Sequence, residues 1–252
     1  MRIYLSGTGS IKKSFIENKM KLNELNILES FYTIQEWQIP LIPKFKNFML
    51  DSGAFTFRHN NKKTINWEEY TLNYAKFVKK YDIKLFFEMD IDNIVGYPKV
   101  LELREMLEKI TKRKSIPVWH INRGKDDFVN MCKKYEYVAI GGIAGGVLKK
   151  RELIKHFPWF IDIAHKNGTK IHGLGFTNIL LLPSCHFDSV DSTTWLTAGR
   201  FGELHQFDGE KIVKHRSVVK KQKVKTLCDP QKVDLHNFNE WNKFNKYAEL
   251  YL

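Results

Sequence analysis

A ring of eight parallel strands wrapped by helices is the fold this sequence predicts, and three observations predict it. Short β-rich runs recur along the chain. Amphipathic helical patterns separate most of them, at the roughly 30-residue spacing of βα units. The 252 residues are an ordinary length for one such barrel. The expected class is therefore α/β: a single (β/α)8 barrel domain over 1–252, its core about 1–205, with a basic segment and a terminal helix over 206–252. A doubly wound open sheet is the alternative, and it would need no closing strand.

The runs expected as strands are 2–5, 47–50, 84–89, 117–121, 137–143, 170–174 and 187–190, with an irregular eighth near 204–207. Between them, 67–81 carries Trp67, Tyr70, Tyr74 and Phe77 on one helical face, with charges between. Segments 97–112 and 149–166 read the same way, and 126–134 is a shorter case. Asn167-Gly168 is a helix stop before the next strand. The tail 234–252 spaces Phe238, Trp241, Phe244, Tyr247 and Tyr251 by three or four, the pattern of a terminal helix packed on the barrel.

Composition narrows the class further. The chain is 43% hydrophobic, enough for a sizeable core, and carries 41 Lys+Arg against 28 Asp+Glu. Such an excess favours a polyanionic partner, nucleic acid first. Lys211, Lys214, Arg216, Lys220, Lys221, Lys223 and Lys225 fall in one stretch without an acid. They are the candidate phosphate contacts; a solvated charged hairpin is the plainer reading of the same stretch. Cys132, Cys185 and Cys228 are widely separated, which argues against a disulfide framework and a CxxC site, and fits a reducing, cytoplasmic setting. Ile3-Tyr4-Leu5 is too short for a signal peptide, and no run approaches the roughly 20 apolar residues of a membrane span. Neither a Walker A sequence nor a G-x-G-x-x-G after a first strand is present.

Chemistry-bearing residues gather where the expected strands end. The runs finish at Asp51-Ser52-Gly53, at Glu88-Met89-Asp90-Ile91-Asp92, at His120-Ile121-Asn122-Arg123, at Gly141-Gly142-Ile143, at His172-Gly173-Leu174-Gly175 and at Asp191-Ser192. In a parallel barrel those ends share the mouth where active sites are built. Two carboxylates there suit covalent chemistry at a sugar carbon, one attacking and the other moving protons. Plainer readings exist for each: Asp51 capping the next turn, Asp191 capping a short helix from Ser192, His120 buried and satisfied. Asp188 and Asp191 compete for one role, and strand alternation puts them on opposite faces. The glycines at 141, 142, 145 and 146 would let a flat ligand approach the backbone.

Taken together, Asp51-Ser52-Gly53-Ala54-Phe55, Met89-Asp90-Ile91, Ala139-Ile140-Gly141-Gly142-Ile143-Ala144 and Val190-Asp191-Ser192 resemble the tRNA-guanine transglycosylase superfamily, over about residues 46–200. The small size and the Ser-Val-Asp-Ser-Thr-Thr-Trp wording resemble its phage-type members, which place 7-deazaguanine bases into DNA. The resemblance implies a nucleophilic aspartate at Asp191 and an acid/base aspartate at Asp51. It implies base recognition by Asp90, with Gly141, Gly142, Ile143, Ser52 and Gly53 around the base and His120 where the family usually has glutamine. The implied activity is exchange of guanine for a 7-deazaguanine derivative in DNA, in the cytoplasm, the host's cytoplasm for a phage-encoded member. The implied partners are nucleic acid, DNA before tRNA, and a 7-deazaguanine base; a homodimer is an arrangement found in the superfamily. A tRNA substrate, or a non-catalytic nucleic-acid-binding subunit, are the alternatives. The family's zinc motif, three close cysteines and a histidine, is missing, so no cofactor and no metal is expected. The family's glutamate after the Gly-Gly turn is also replaced, by Gly146-Val147.

Overall fold

Alternation of apolar residues with period two builds a ring of parallel strands in the computed structural model, which describes residues 1–11, 13–14, 16, 20–53, 65–141, 153–176, 178–196, 203–216 and 230–252. The eight strands are β1 (Arg2–Ser6), β2 (Asn26–Ser30), β3 (Asn47–Asp51), β4 (Leu85–Phe86), β5 (Val118–Trp119), β6 (Tyr137–Ile140), β7 (Lys170–Gly173) and β8 (Ser189–Ser192). Each pairs in parallel with its neighbours in sequence, and β8 returns to β1. The remaining seam, between β4 and β5, is closed by a parallel bridge from Phe87 to Ile116. There Ile116 N–H donates to the Phe86 carbonyl at 2.8 Å and Glu88 N–H to the Ile116 carbonyl at 3.0 Å. The expected α/β barrel is the fold of the chain.

One face of each strand fills the ring. Tyr4, Leu28, Met49, Phe87, Val118 and Ala139 pack together as its interior. The alternate residues face outward. Leu50 and Phe86 meet Tyr74, Ala75 and Val78 of α1 (Trp67–Lys80) and Val100, Leu103 and Leu107 of α2 (Tyr97–Thr111). Val138, Ile140, Ile171 and Val190 meet Phe128 of α3 (Gly124–Lys134) and Phe157 and Phe160 of α4 (Phe157–Lys166). Helix α1 begins where the Asn66 side chain accepts the Glu69 N–H at 3.0 Å, and it has Glu68 and Glu69 in the first turn and Lys79 and Lys80 in the last.

The eighth strand is not where the sequence places it. The expected run near 204–207 belongs to β9 (Glu203–Phe207), which pairs antiparallel with β10 (Ile212–Arg216) as a separate hairpin. The ring instead takes in β2, whose outward face carries a charged residue, Glu29, inside the protein. Glu29 accepts hydrogen bonds from the backbone N–H of Thr8, at 2.8 Å, and from its hydroxyl. That satisfied carboxyl interrupts the apolar signal on which strand reading depends. Consequently the strand ending at Asp51 is the third, not the second, and every later strand moves up by one. The strand expected over 137–143 ends at Ile140, and the continuous helix of the 149–166 region is α4 with Pro158 in its first turn.

Helix α5 (Pro230–Tyr251) covers β1 and β9. Phe238, Trp241, Phe244 and Ala248 are buried with Ile3 and Leu5. Asn245 accepts the Ile3 N–H at 2.8 Å, Asn237 the His205 N–H at 2.8 Å, and Glu240 the Phe207 N–H at 2.8 Å. The aromatic spacing thus marks a helix that locks the hairpin to the barrel. No helix among the described residues is long and apolar enough to cross a membrane.

Candidate active site

Register decides which carboxylates meet. Met49 is an interior residue, so Asp51, two residues on, turns to the same face at the C-terminal end of β3. Asp191 lies beside Tyr4, another interior residue, across the β1–β8 ladder. His120 follows Val118 by two and also turns inward. Asp51, His120 and Asp191 therefore converge at one mouth of the ring. Asp188 does not join them. It accepts the Ile171 N–H at 2.8 Å, stands 3.1 Å from His165, and lines a cavity at the opposite end with Arg2, Lys46 and Lys170.

Asp191 is the most tightly held of the three. Its Oδ1 accepts the Gly175 N–H at 2.6 Å and stands 3.3 Å from His172 Nε2; its Oδ2 accepts the Ser6 hydroxyl at 3.3 Å. Asp51 accepts the Gly53 N–H at 3.2 Å. Gly53 is left-handed at φ +80°, and an added Cβ would collide with Tyr32 Cβ and lie 2.7 Å from Ser30 Oγ, so the turn that supplies this donor needs glycine. Ser52 is fully buried, and its carbonyl accepts the Tyr70 hydroxyl at 2.7 Å. Desolvation in the mouth, then the charge of Asp90, raises the Asp51 carboxyl to about 7; the Gly53 N–H opposes the rise and Asp191 adds to it.

Asp90 lies just past β4 and is hydrogen-bonded to His120 Nε2. Gly141 leaves room for that imidazole, since a Cβ there would come 2.5 Å from His120 Cε1. Beneath them a buried ion-pair network fixes the 88–92 turn. Arg123 donates to both oxygens of Asp92, at 2.8 and 2.6 Å, and to Glu88 at 3.2 Å. Its guanidinium lies 4.1 Å from the centre of the Tyr97 ring. Glu88 also accepts from Arg104 and from the Val118 N–H, so it ties β4 to α2 and β5.

Asp90, Asp92 and His120 present donor atoms within 4.8 Å of one another and are the cluster among the described residues that could hold a cation. Both Asp92 oxygens already face Arg123, which supplies the positive charge. The residues do not fit the zinc of the transglycosylase superfamily: the sequence has no cluster of three cysteines with a histidine. Cys132 and Cys185 are buried as free thiols, and burial pushes the Cys132 thiol up to about 12.

Of the residues singled out by sequence, Asp51, Ser52, Gly53, Asp90, His120, Gly141 and Asp191 sit around this mouth. Gly142 and Ile143 lie outside the described residues, as do Lys220, Lys221, Lys223, Lys225 and Cys228. Lys211 and Lys214 are exposed on the hairpin, Lys214 3.7 Å from Glu203, and Arg216 ends β10. Sequence reading leaves out His172, Ser6 and Gly175 as partners of Asp191. The signal for His172 is its phase, since it alternates with Lys170 on the inward face of β7, but only the register shows what it touches.

No family model matches this chain, and no curated protein matches it. Among solved structures it is similar to the carboxyl transferase domain from Rhizobium etli pyruvate carboxylase with pyruvate, at 13% identity and a TM-score of 0.49. The same domain with oxalate is similar at 13% identity and a TM-score of 0.46. In both cases the likeness covers 98% of this chain and 48% of that chain, so this chain spans about half the length of those structures. A likeness of that size carries no argument about activity; the barrel rests on the strand pairing itself.

Proposed function

We propose that this protein is a transglycosylase that exchanges guanine for a 7-deazaguanine derivative in DNA through a covalent aspartyl-glycosyl intermediate. The observation that carries the reading is the pair Asp51 and Asp191. They face one mouth from β3 and β8, and they differ in environment as a proton carrier and a nucleophile must. Asp191 is held by the Gly175 N–H and the Ser6 hydroxyl and lies against His172 Nε2, which fixes the direction of its oxygens. Asp51, raised to about 7, changes protonation near neutrality.

In the first half-reaction a carboxylate oxygen of Asp191 attacks the sugar C1′ and the bond from C1′ to the guanine nitrogen breaks. Asp51 gives its proton to the departing base. In the second, Asp51 takes the proton from the incoming base, whose nitrogen attacks C1′ and releases the Asp191 carboxylate. Two displacements retain the sugar stereochemistry. Asp90 accepts hydrogen bonds from the ring N–H and amino group of a guanine-like base, a two-point contact that discriminates among bases. His120 holds Asp90 in place. The target nucleotide has to leave the stack to bring C1′ into the mouth.

Support for DNA over tRNA comes from the sequence: the missing cysteine cluster and the Ser-Val-Asp-Ser-Thr-Thr-Trp wording that resembles the phage-type members; the basic stretch from Lys211 supports a nucleic acid of either kind. The test is incorporation of radiolabelled guanine into DNA and into tRNA by the purified protein. Exchange into DNA, abolished together with the covalent adduct in Asp191→Asn while DNA binding and fold persist, is the expected result. Full exchange by that variant would overturn the assignment, and exchange into tRNA alone would overturn the substrate.

A further inference from the structure

Behind Asp191 runs a line of polar side chains inside an otherwise apolar barrel. His172, on β7, is fully buried and stands beside Ser189 of β8 in the strand ladder. Its Nε2 is 3.3 Å from Asp191 Oδ1, and its Nδ1 is hydrogen-bonded to Ser189 Oγ. The Ser189 hydroxyl is in turn 2.5 Å from the Tyr137 hydroxyl, on β6. Tyr4 and Phe87 flank the imidazole, with ring centres 6.2 and 5.3 Å away.

A buried polar chain of this kind persists when each hydrogen has an acceptor. An ionised carboxylate only accepts, so His172 must place a proton on Nε2 to serve Asp191. A neutral imidazole then accepts at Nδ1, which Ser189 supplies with its single hydroxyl hydrogen. Ser189 is left to accept, and Tyr137 donates to it. With the imidazole neutral, one assignment satisfies every link, and all its donors point toward Asp191; a proton on both nitrogens would reverse the two hydroxyls. Tyr137 also lines the cavity at the far end of the ring, so the line runs through the barrel from that cavity to the mouth.

We infer that His172 is a positioning residue for the nucleophile: it donates Nε2–H to Asp191 while Ser189 and Tyr137 anchor it at Nδ1, and this holds the Asp191 carboxylate toward the mouth. The inference rests on the reading of Asp191 as the attacking group. It gives a role to a histidine that the base-exchange scheme does not use. Apolar packing of the imidazole alone would account for neither the Ser189 contact nor the Asp191 contact.

Two measurements test it. In 15N-histidine NMR spectra of the whole protein, His172 should be the Nε2–H tautomer, and Asp191→Ala, which removes the acceptor of that proton, should turn it into a mixture of tautomers. A proton on Nδ1 in the unaltered protein would overturn the inference, whatever chemistry the mouth performs. In single-turnover adduct formation on DNA, His172→Phe should slow the reaction 10- to 100-fold with KM unchanged, the usual loss for a group that orients a reactive one. His172→Gln, whose amide nitrogen matches Nε2, should recover most of the rate, whereas His172→Asn, which matches Nδ1, should not. Equal rates in His172→Phe and the unaltered protein, or equal recovery by both amides, would sink it. If the unaltered protein forms no adduct at all, the transglycosylase reading fails, and the tautomer still decides the positioning claim.

Discussion

Gly141 stands against His120 so closely that a single added methyl group would lie 2.5 Å from Cε1 and 3.0 Å from Nε2 of the imidazole. Its own N–H is spent on the Trp119 carbonyl at 2.8 Å, which leaves the backbone no freedom to retreat. The glycine is therefore a spacer for the histidine that orients Asp90.

Gly141→Ala should push the imidazole off Asp90 and also press on the interior residue Val118, whose Cγ1 would lie 2.7 Å from the added carbon. Overpacking of this kind costs about 1–3 kcal/mol, and the base contact would loosen. The expected outcome is a rise in KM for the incoming base of about tenfold, near the worth of one good hydrogen bond. The rate of adduct formation on DNA should change much less. Steady-state kinetics with varied base, beside a thermal melt, check this; an unchanged KM would remove His120 from base recognition.

How much of this was open to sequence reasoning follows from what each residue's signal depends on. Asp51 and Asp191 are legible because a strand that ends in a carboxylate followed by small residues is a local pattern. β9 is equally legible as a strand, but whether it closes the barrel is a matter of pairing. β2 escapes because Glu29 interrupts its apolar face, and the partner that makes that burial tolerable, Thr8, lies twenty-one residues away. His172 escapes for a similar reason. Its phase on β7 is visible, but the neighbours Ser189 and Asp191 are set by register across two strands.

Asp51 and Glu29 together give stability a pH dependence of definite sign. Both carboxyls are raised to about 7, Glu29 by burial against the opposing Thr8 and Gln38 hydrogen bonds, and both are ordinary acids in the unfolded chain. Between about pH 4 and 7 the folded protein holds more protons than the unfolded one, so stability is greatest below this window and falls as pH rises through it. Each group contributes up to about 1.4 kcal/mol per pH unit there. Asp51→Asn should flatten the fall and leave the variant more stable than the parent at pH 8, while eliminating base exchange. Melts from pH 4 to 8 decide it; a parallel curve for the variant would mean that Asp51 titrates normally.

The hairpin lysines make a prediction about ionic strength. Lys211 and Lys214 project from the exposed side of an antiparallel ribbon, and Lys220, Lys221, Lys223 and Lys225 follow it in sequence. Each phosphate contact contributes a slope of about −0.9 in log K against log salt for duplex DNA. Replacing Lys211, Lys214, Lys220, Lys221, Lys223 and Lys225 by glutamine should weaken binding and flatten that dependence by about one unit for each phosphate no longer neutralised. Titrations at several salt concentrations check it, and an unchanged slope would make the stretch a solvated surface.

Arg123 is the residue whose loss should be felt most widely. Its side chain is completely buried and holds two carboxylates, Asp92 through both oxygens and Glu88 through one. The aromatic face of Tyr97 covers the guanidinium. Removing the cation leaves Glu88 to Arg104 but strips Asp92 of the guanidinium held by both its oxygens, beneath the turn that carries Asp90, at a cost of about 3–5 kcal/mol. For a chain of this length that lowers Tm by roughly 10 °C. Arg123→Met should show that loss, and adding Asp92→Asn should restore a good part of it, because the uncompensated charge rather than the missing packing is the source. If the double variant melts with the single one, the arginine acts through its packing on Tyr97 and the electrostatic account of the turn is wrong. If it recovers in Tm but not in KM for the base, the network also sets geometry, and the position of Asp90 depends on the Arg123–Asp92 fork itself and not only on neutral charge beneath it.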